Sequence, residues 1–149
     1  MERSYWQPQP ANGFVTINLT PPDTGSASAS MGTQSIAPGG FVREHSHVDQ
    51  EEIIYVLEGT GTAVVDGVRH DMAPGTAFFL GRGVRHSFIN EGVDSLLYTW
   101  TIIPGHGLHE FFASIGRPRI PGEPPPQPFA RPADVAAIEA QTGFSSAGS

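Results

Sequence analysis

Between residues 14 and 103, apolar and polar positions alternate in short runs rich in Val, Ile, Phe and Thr, with glycine separating the runs at close intervals. A period of two places successive side chains on opposite faces, the mark of half-buried antiparallel strands. The pattern predicts nine strands, near residues 14–19, 31–37, 41–47, 52–58, 61–65, 68–72, 76–80, 85–90 and 95–103. Asp66-Gly67 lies between two apolar runs and reads as a two-residue hairpin, because both positions accept positive φ. Residues 21–30 read as a flexible loop.

The period changes after Pro104. Leu108, Phe111, Phe112 and Ile115 recur at helical spacing and predict a short helix ending at Gly116, with the Phe111-Phe112 pair as packing surface. Residues 118–132 carry seven of the 14 prolines, which favours an extended linker over packed structure. A second short helix is predicted over 133–141, capped near Asp134 and stopped by Gly143. The 149 residues suit one ordinary domain. Residues 1–117 read as that β-domain, including its amino-terminal strand and the first helix, and 118–149 as a proline-rich extension. The fold class is all-β, an antiparallel sandwich or barrel with helices only at the carboxyl end.

Composition narrows the chemistry. The chain has no cysteine, so any metal must be held by nitrogen and oxygen. Fifteen acidic residues oppose eight basic ones, all of them scattered arginines, for a formal charge of −7. Nucleic-acid binding needs clustered cations, so that partner class is excluded. Residues 1–10 do not read as a secretory signal, and no apolar run approaches the roughly 20 residues that span a bilayer. A cytoplasmic location without a membrane partner is expected.

Three of the six histidines fall in two glycine-framed segments. In a strand over 41–47, Phe41, Arg43, His45 and His47 share one face, so two imidazoles can converge on one ion. A turn over 48–51 returns the chain alongside. Glu52, Ile54 and Val56 then face inward, while Ile53, Tyr55 and Leu57 face outward. Parity turns Glu51 away and makes it the poorer ligand, although a bulge would exchange the two. A tight Gly81-Arg-Gly83 turn feeds a strand that carries His86, Phe88 and Asn90 on one face. His45, His47, Glu52 and His86 are therefore the candidate metal ligands. In octahedral geometry they leave one or two coordination positions open, which suits catalysis better than structure.

The remaining chemical residues divide as follows. His70 reads as a surface histidine, and His106 and His109 as solvent-facing or capping residues, with the barrel mouth as the alternative place for His106. Tyr98 and Trp100 share a face of the last strand as aromatic core or interface, with cavity lining as their second role. Arg43 shares the inward face of His45 and His47. It either pairs within the barrel or meets an anionic substrate, unless a bulge turns it outward.

The two segments resemble the two motifs of the cupin superfamily. The first runs Gly39, five residues, His45-x-His47, four residues, Glu52, six residues, Gly59. The second runs Gly75, five residues, Gly81 where the family usually has proline, one residue, Gly83, two residues, His86, three residues, Asn90. The resemblance implies a jelly-roll barrel over about residues 14–103. It also implies a divalent metal cofactor, with Fe(II) favoured and Mn, Ni, Zn, Co or Cu acceptable. The carboxyl-terminal part looks like that of small quercetin-dioxygenase-like cupins. By that likeness the leading expectation is a dioxygenase acting on a small oxygen-rich substrate, with Glu52 as a shifting ligand or general base and Arg43 on the substrate. The alternatives are a lyase, cyclase or isomerase using the ion as Lewis acid, and a non-catalytic small-molecule-binding cupin. The outward apolar row Ile53, Tyr55 and Leu57 predicts a homodimer.

Overall fold

The computed structural model describes residues 3–142. Eleven strands alternate with three short helices among them: β1 Arg3–Trp6, β2 Phe14–Leu19, α1 Pro21–Thr24, β3 Ser30–Ile36, β4 Phe41–His45, β5 Glu51–Glu58, β6 Gly61–Val65, β7 Val68–Met72, β8 Ala77–Leu80, β9 His86–Ile89, β10 Leu96–Ile103, α2 Leu108–Ile115, β11 Arg117–Pro118 and α3 Val135–Thr142. They form a seven-stranded sheet, in the order β11-β1-β2-β3-β10-β5-β8, and a four-stranded sheet, in the order β4-β9-β6-β7. The pairings are antiparallel, and the two sheets close on one another as the expected all-β jelly-roll barrel.

The period of two explains how this barrel fills. Along β10, Leu96, Tyr98, Trp100 and Ile102 are buried and alternate with half-exposed residues. On the neighbouring β5, Glu52, Ile54 and Val56 are buried while Ile53, Tyr55 and Leu57 are exposed. Phe88 of the small sheet meets Tyr98 of the large one with ring centroids 5.2 Å apart, so the two inner faces interlock. The Asp66-Gly67 hairpin forms as predicted, with φ of 47° and 82° at its two positions. On the outside, the cross-strand register Leu19–Met31–Thr101–Ile53–Phe79 lays a mostly apolar row across the large sheet. Its four hydrophobic members are exposed.

Four local features differ from expectation. Strand β1 forms at residues too few and too mixed to show a period, because β2 and β11 supply its partners. The loop over 21–30 contains α1, where the Asp23 carboxylate accepts from the Thr20 N–H and hydroxyl at 2.8 Å each and pairs with Arg3 at 2.7 Å. These bonds hold the Asp23 carboxyl down to about 2. The proline-rich stretch is extended, as composition predicted, yet it is docked. The Gln9 N–H donates to Phe129 O at 2.7 Å, and the Arg117 guanidinium lies 3.9 Å from the Phe129 ring centroid. The terminal helix begins at Val135 and buries Ile138 in the hydrophobic core alongside α2 residues; its predicted Gly143 stop lies outside the described residues. Helix α2 forms where predicted and buries Leu108, Phe111 and Ile115. No helix among the described residues is long and apolar enough to cross a membrane.

Because Phe88 is 1% exposed and bridges the sheets, Phe88→Ala is expected to cost about 3–5 kcal/mol in urea unfolding, with an unchanged slope.

Candidate metal centre

The two glycine-framed segments meet at one end of the barrel. His45 ends β4, and His47 lies just beyond it, where its carbonyl accepts the Gly83 N–H at 2.9 Å. That bond ties the first segment to the turn of the second. Left-handed backbone at this turn falls on Gly83, with φ of 75°, and not on Gly81. A proline-type position therefore accepts glycine without changing the turn. His86 starts β9 directly opposite His45 in the strand pairing. Glu52 comes from β5 in the other sheet and points inward, as parity required. Asn90, the last residue of the second segment, is structural. Its amide donates to Ile36 O and Asp94 O at 2.9 Å each and accepts the Gly92 N–H at 3.0 Å.

One donor atom from each of His45, His47, Glu52 and His86 lies within 4.8 Å of all the others. Glu52 Oε2 is 3.3 Å from His47 Nε2 and 3.4 Å from His86 Nε2. The second ring nitrogens of two histidines are already committed. His45 Nδ1 donates to Arg43 O at 2.8 Å and His86 Nδ1 to Val84 O at 3.1 Å. A carbonyl only accepts, so these bonds place hydrogen on Nδ1 and leave Nε2 as a lone pair facing inward. His86 Nε2 and Glu52 Oε2 are both buried without a hydrogen-bond partner. Lone pairs held this close attract only if a proton or a cation lies between them. The donor set thus fits a divalent ion of the imidazole and carboxylate class, and the four residues could hold one.

The electrostatics agree. Burial pushes the His45 imidazole down to about 3, and the neighbouring His86 and His47 charges add to the effect, so it is neutral at physiological pH. Burial opposes ionisation of Glu52, but the His47 and His86 rings, 3.3 and 3.4 Å from its oxygen, outweigh it when they carry protons and hold the carboxyl well below the usual carboxylate range. Burial, with the Glu52 charge, raises the Tyr98 phenol well above its ordinary value and keeps it neutral.

The cluster opens into a cavity of about 120 Å³. Trp100, Ile102, Phe111 and Phe112 form apolar wall, so Trp100 lines the cavity as well as packing in the core. Arg43 also lines it. The β4–β9 register shifts between Val42 and His45, yet this irregularity leaves Arg43 on the cavity side. Arg131, from the proline-rich stretch, is a cavity residue that the sequence reading missed, since nothing local to it signals the contact. Gln7 was missed for the same reason. His70 and His106 are exposed as expected. His109 departs from expectation: its Nε2 is 2.8 Å from the Tyr5 hydroxyl, which fastens α2 to β1.

A jelly-roll barrel with three imidazoles and a carboxylate at its mouth defines a class, and the comparisons agree with it. The family model described as Cupin domain matches residues 32–102. Protein SchB of Streptomyces halstedii is 36% identical over 80 residues, covering 54% of this chain and 58% of SchB. The tetracenomycin polyketide synthase protein TcmJ of Streptomyces glaucescens is 30% identical over 126 residues, covering 83% of this chain and 78% of TcmJ. Among solved structures, the polyketide cyclase RemF from Streptomyces resistomycificus is similar with a TM-score of 0.58 and 25% identity, covering 65% of this chain and 68% of RemF. The chain belongs to the cupin superfamily.

Two predictions follow from the cluster. In purified protein, His47→Ala is expected to turn stoichiometric metal content into a trace, read by elemental analysis. For the metal-free protein, His45 keeps its proton in the unfolded chain below pH 6.5 but not in the folded one until about 3. Glu52 acts in the same direction below its ordinary value of 4.5. Both groups make the unfolded chain bind more protons, so stability falls as pH drops below about 6.5. Melting temperature against pH checks this, and Glu52→Gln should flatten the lower part of the curve.

Proposed function

We propose that this cupin is a metal-dependent cyclase that closes a ring in a polyketone chain. The observation that carries the reading is the four-donor cluster at the base of a small cavity with an aromatic wall. Its similarity to RemF, named a polyketide cyclase, and to TcmJ, named a polyketide synthase protein, supports the choice of substrate class. When bound, a divalent ion supplies Lewis acidity, which polarises a ketone and makes the adjacent methylene acidic.

The chain's own residues do the rest. Trp100, Ile102, Phe111 and Phe112 exclude water and confine a flexible chain to folded conformers, which brings its ends together for carbon–carbon bond formation. Burial keeps His45 neutral, and the carbonyl-bonded rings of His45 and His86 turn Nε2 inward. Glu52 is held ionised by the imidazoles around it, which makes it a weak base. We therefore assign it to holding charge at the centre; the two hydrogens lost from the methylene pass through solvent and leave with the ketone oxygen as the one water released. Arg43 faces the cavity, where it can meet a substrate oxygen.

The relatives named above lend no support to the dioxygenase expectation, and cyclisation requires no redox change. The two readings separate in one experiment. The metal-loaded protein is given a linear β-triketone in a sealed cell with an oxygen electrode, and products are followed by mass spectrometry. Ring closure with loss of one water and no substrate-dependent oxygen uptake is expected. Oxygen uptake would return the dioxygenase reading, and binding without turnover would favour a non-catalytic cupin.

Assembly completes the proposal. A second copy is the occupant proposed for the exposed row Leu19, Met31, Ile53 and Phe79, with Tyr55 and Leu57 beside it. Sedimentation at twice the chain mass of 15.9 kDa is expected, and sedimentation at monomer mass would refute it.

A further inference from the structure

Two guanidiniums from segments far apart in the chain face the cavity that contains the cluster. Arg43 comes from β4, two residues before His45. Arg131 comes from the docked proline-rich stretch, just after Phe129 receives the Gln9 N–H. Both line the same space as His45, His47 and Glu52. Burial pushes the Arg131 guanidinium below its ordinary value, the Arg43 charge pushes it further, and Glu139 offsets part of the effect. Gathering two cations in a half-buried cavity is unfavourable in itself. Glu139 supplies one nearby carboxylate, and Glu52 another at the cluster. A divalent ion at that cluster would leave the cavity with an excess of positive charge, which suits an anion.

Two neutral groups belong to the same wall. Gln7 and Trp100 are 6% and 3% exposed, and both line the cavity. Gln7 Nε2 and Trp100 Nε1 are buried without a hydrogen-bond partner. Buried donors without acceptors are uncommon in folded proteins and set this wall apart from the rest of the core.

We propose that Arg131, together with Arg43, binds an oxyanion group of the substrate, a carboxylate or a phosphate, and so determines which molecules enter. Gln7 and Trp100 form a neutral, buried wall beside these two cations. The proline-rich stretch thereby becomes part of the binding site, because it delivers Arg131 to a cavity built by the barrel. The inference rests on this cavity being the substrate site, but it does not require the cyclase chemistry.

The test is equilibrium binding to the full-length, metal-loaded protein by calorimetry. The probes are benzoate, phenyl phosphate and the neutral benzamide. Wild-type protein is expected to bind at least one anion about tenfold or more tighter than benzamide, as a charge-assisted contact implies. The tighter anion identifies the source of the oxyanion. Arg131→Gln is expected to abolish that preference while metal content and benzamide affinity stay unchanged. Arg43→Gln, the second variant, should do the same, and Arg131→Lys should retain part of it. Equal binding of all three probes by wild type would overturn the proposal. So would an anion preference that survives Arg131→Gln, since the metal alone would then account for it. Failure of ring closure with this preference intact would contradict the cyclase reading only.

Discussion

Three imidazoles and one carboxylate, with donor atoms no more than 4.8 Å apart, hold the two sheets of the barrel to a common point. Three of these side chains come from the four-stranded sheet or the turn that leaves it, and Glu52 comes from the seven-stranded sheet. Burying a carboxylate is unfavourable unless charge or hydrogen bonds compensate it. Here the compensation must come from the imidazoles, which favour Glu52 only with a proton or a cation among them. The surrounding structure is arranged to maintain that condition. Backbone carbonyls of Arg43 and Val84 orient two rings, Gly83 secures His47, and Phe88 packs beneath His86 at 5.6 Å between ring centroids.

From this point the cavity acquires its character. Its floor is ionic and its side wall is aromatic, contributed by β10 and α2. Segments that carry no cluster residue complete it. Gln7 follows β1, and Arg131 belongs to the docked carboxyl-terminal stretch. The barrel itself is shared by proteins with many activities, so specificity must come from such additions. The division of labour is physical. The two motif segments supply the donor cluster, while the peripheral segments set the shape and charge of the cavity.

Much of the barrel and the cluster was legible in the chain because both depend on local periodicity. Alternation placed Glu52, Ile54 and Val56 inside and Ile53, Tyr55 and Leu57 outside, and the structure agrees at every one of these positions. The same parity separated Glu52 from Glu51. Features that depend on partners were not legible. Strand β1 exists because β2 and β11 flank it, and its four residues show no period of their own. Proline content correctly indicated an extended stretch after residue 118, but composition is silent on docking. The contact between Phe129 and Gln9 joins residues 120 positions apart. Arg131 lies two residues beyond that contact, and no spacing rule could reveal its place in the cavity. Arg43 was ambiguous for another reason. A bulge was foreseen as the device that would turn it outward; a register shift is present, and the side chain still lines the cavity.

The central claim is that these four side chains form one metal centre. X-ray absorption at the metal edge of the loaded, full-length protein tests it most directly. One ion per chain is expected, in a shell of nitrogen and oxygen only, with the multiple-scattering signature of three imidazoles, reduced to two in His86→Ala. A shell without imidazole scattering, or one unchanged by that substitution, would contradict it.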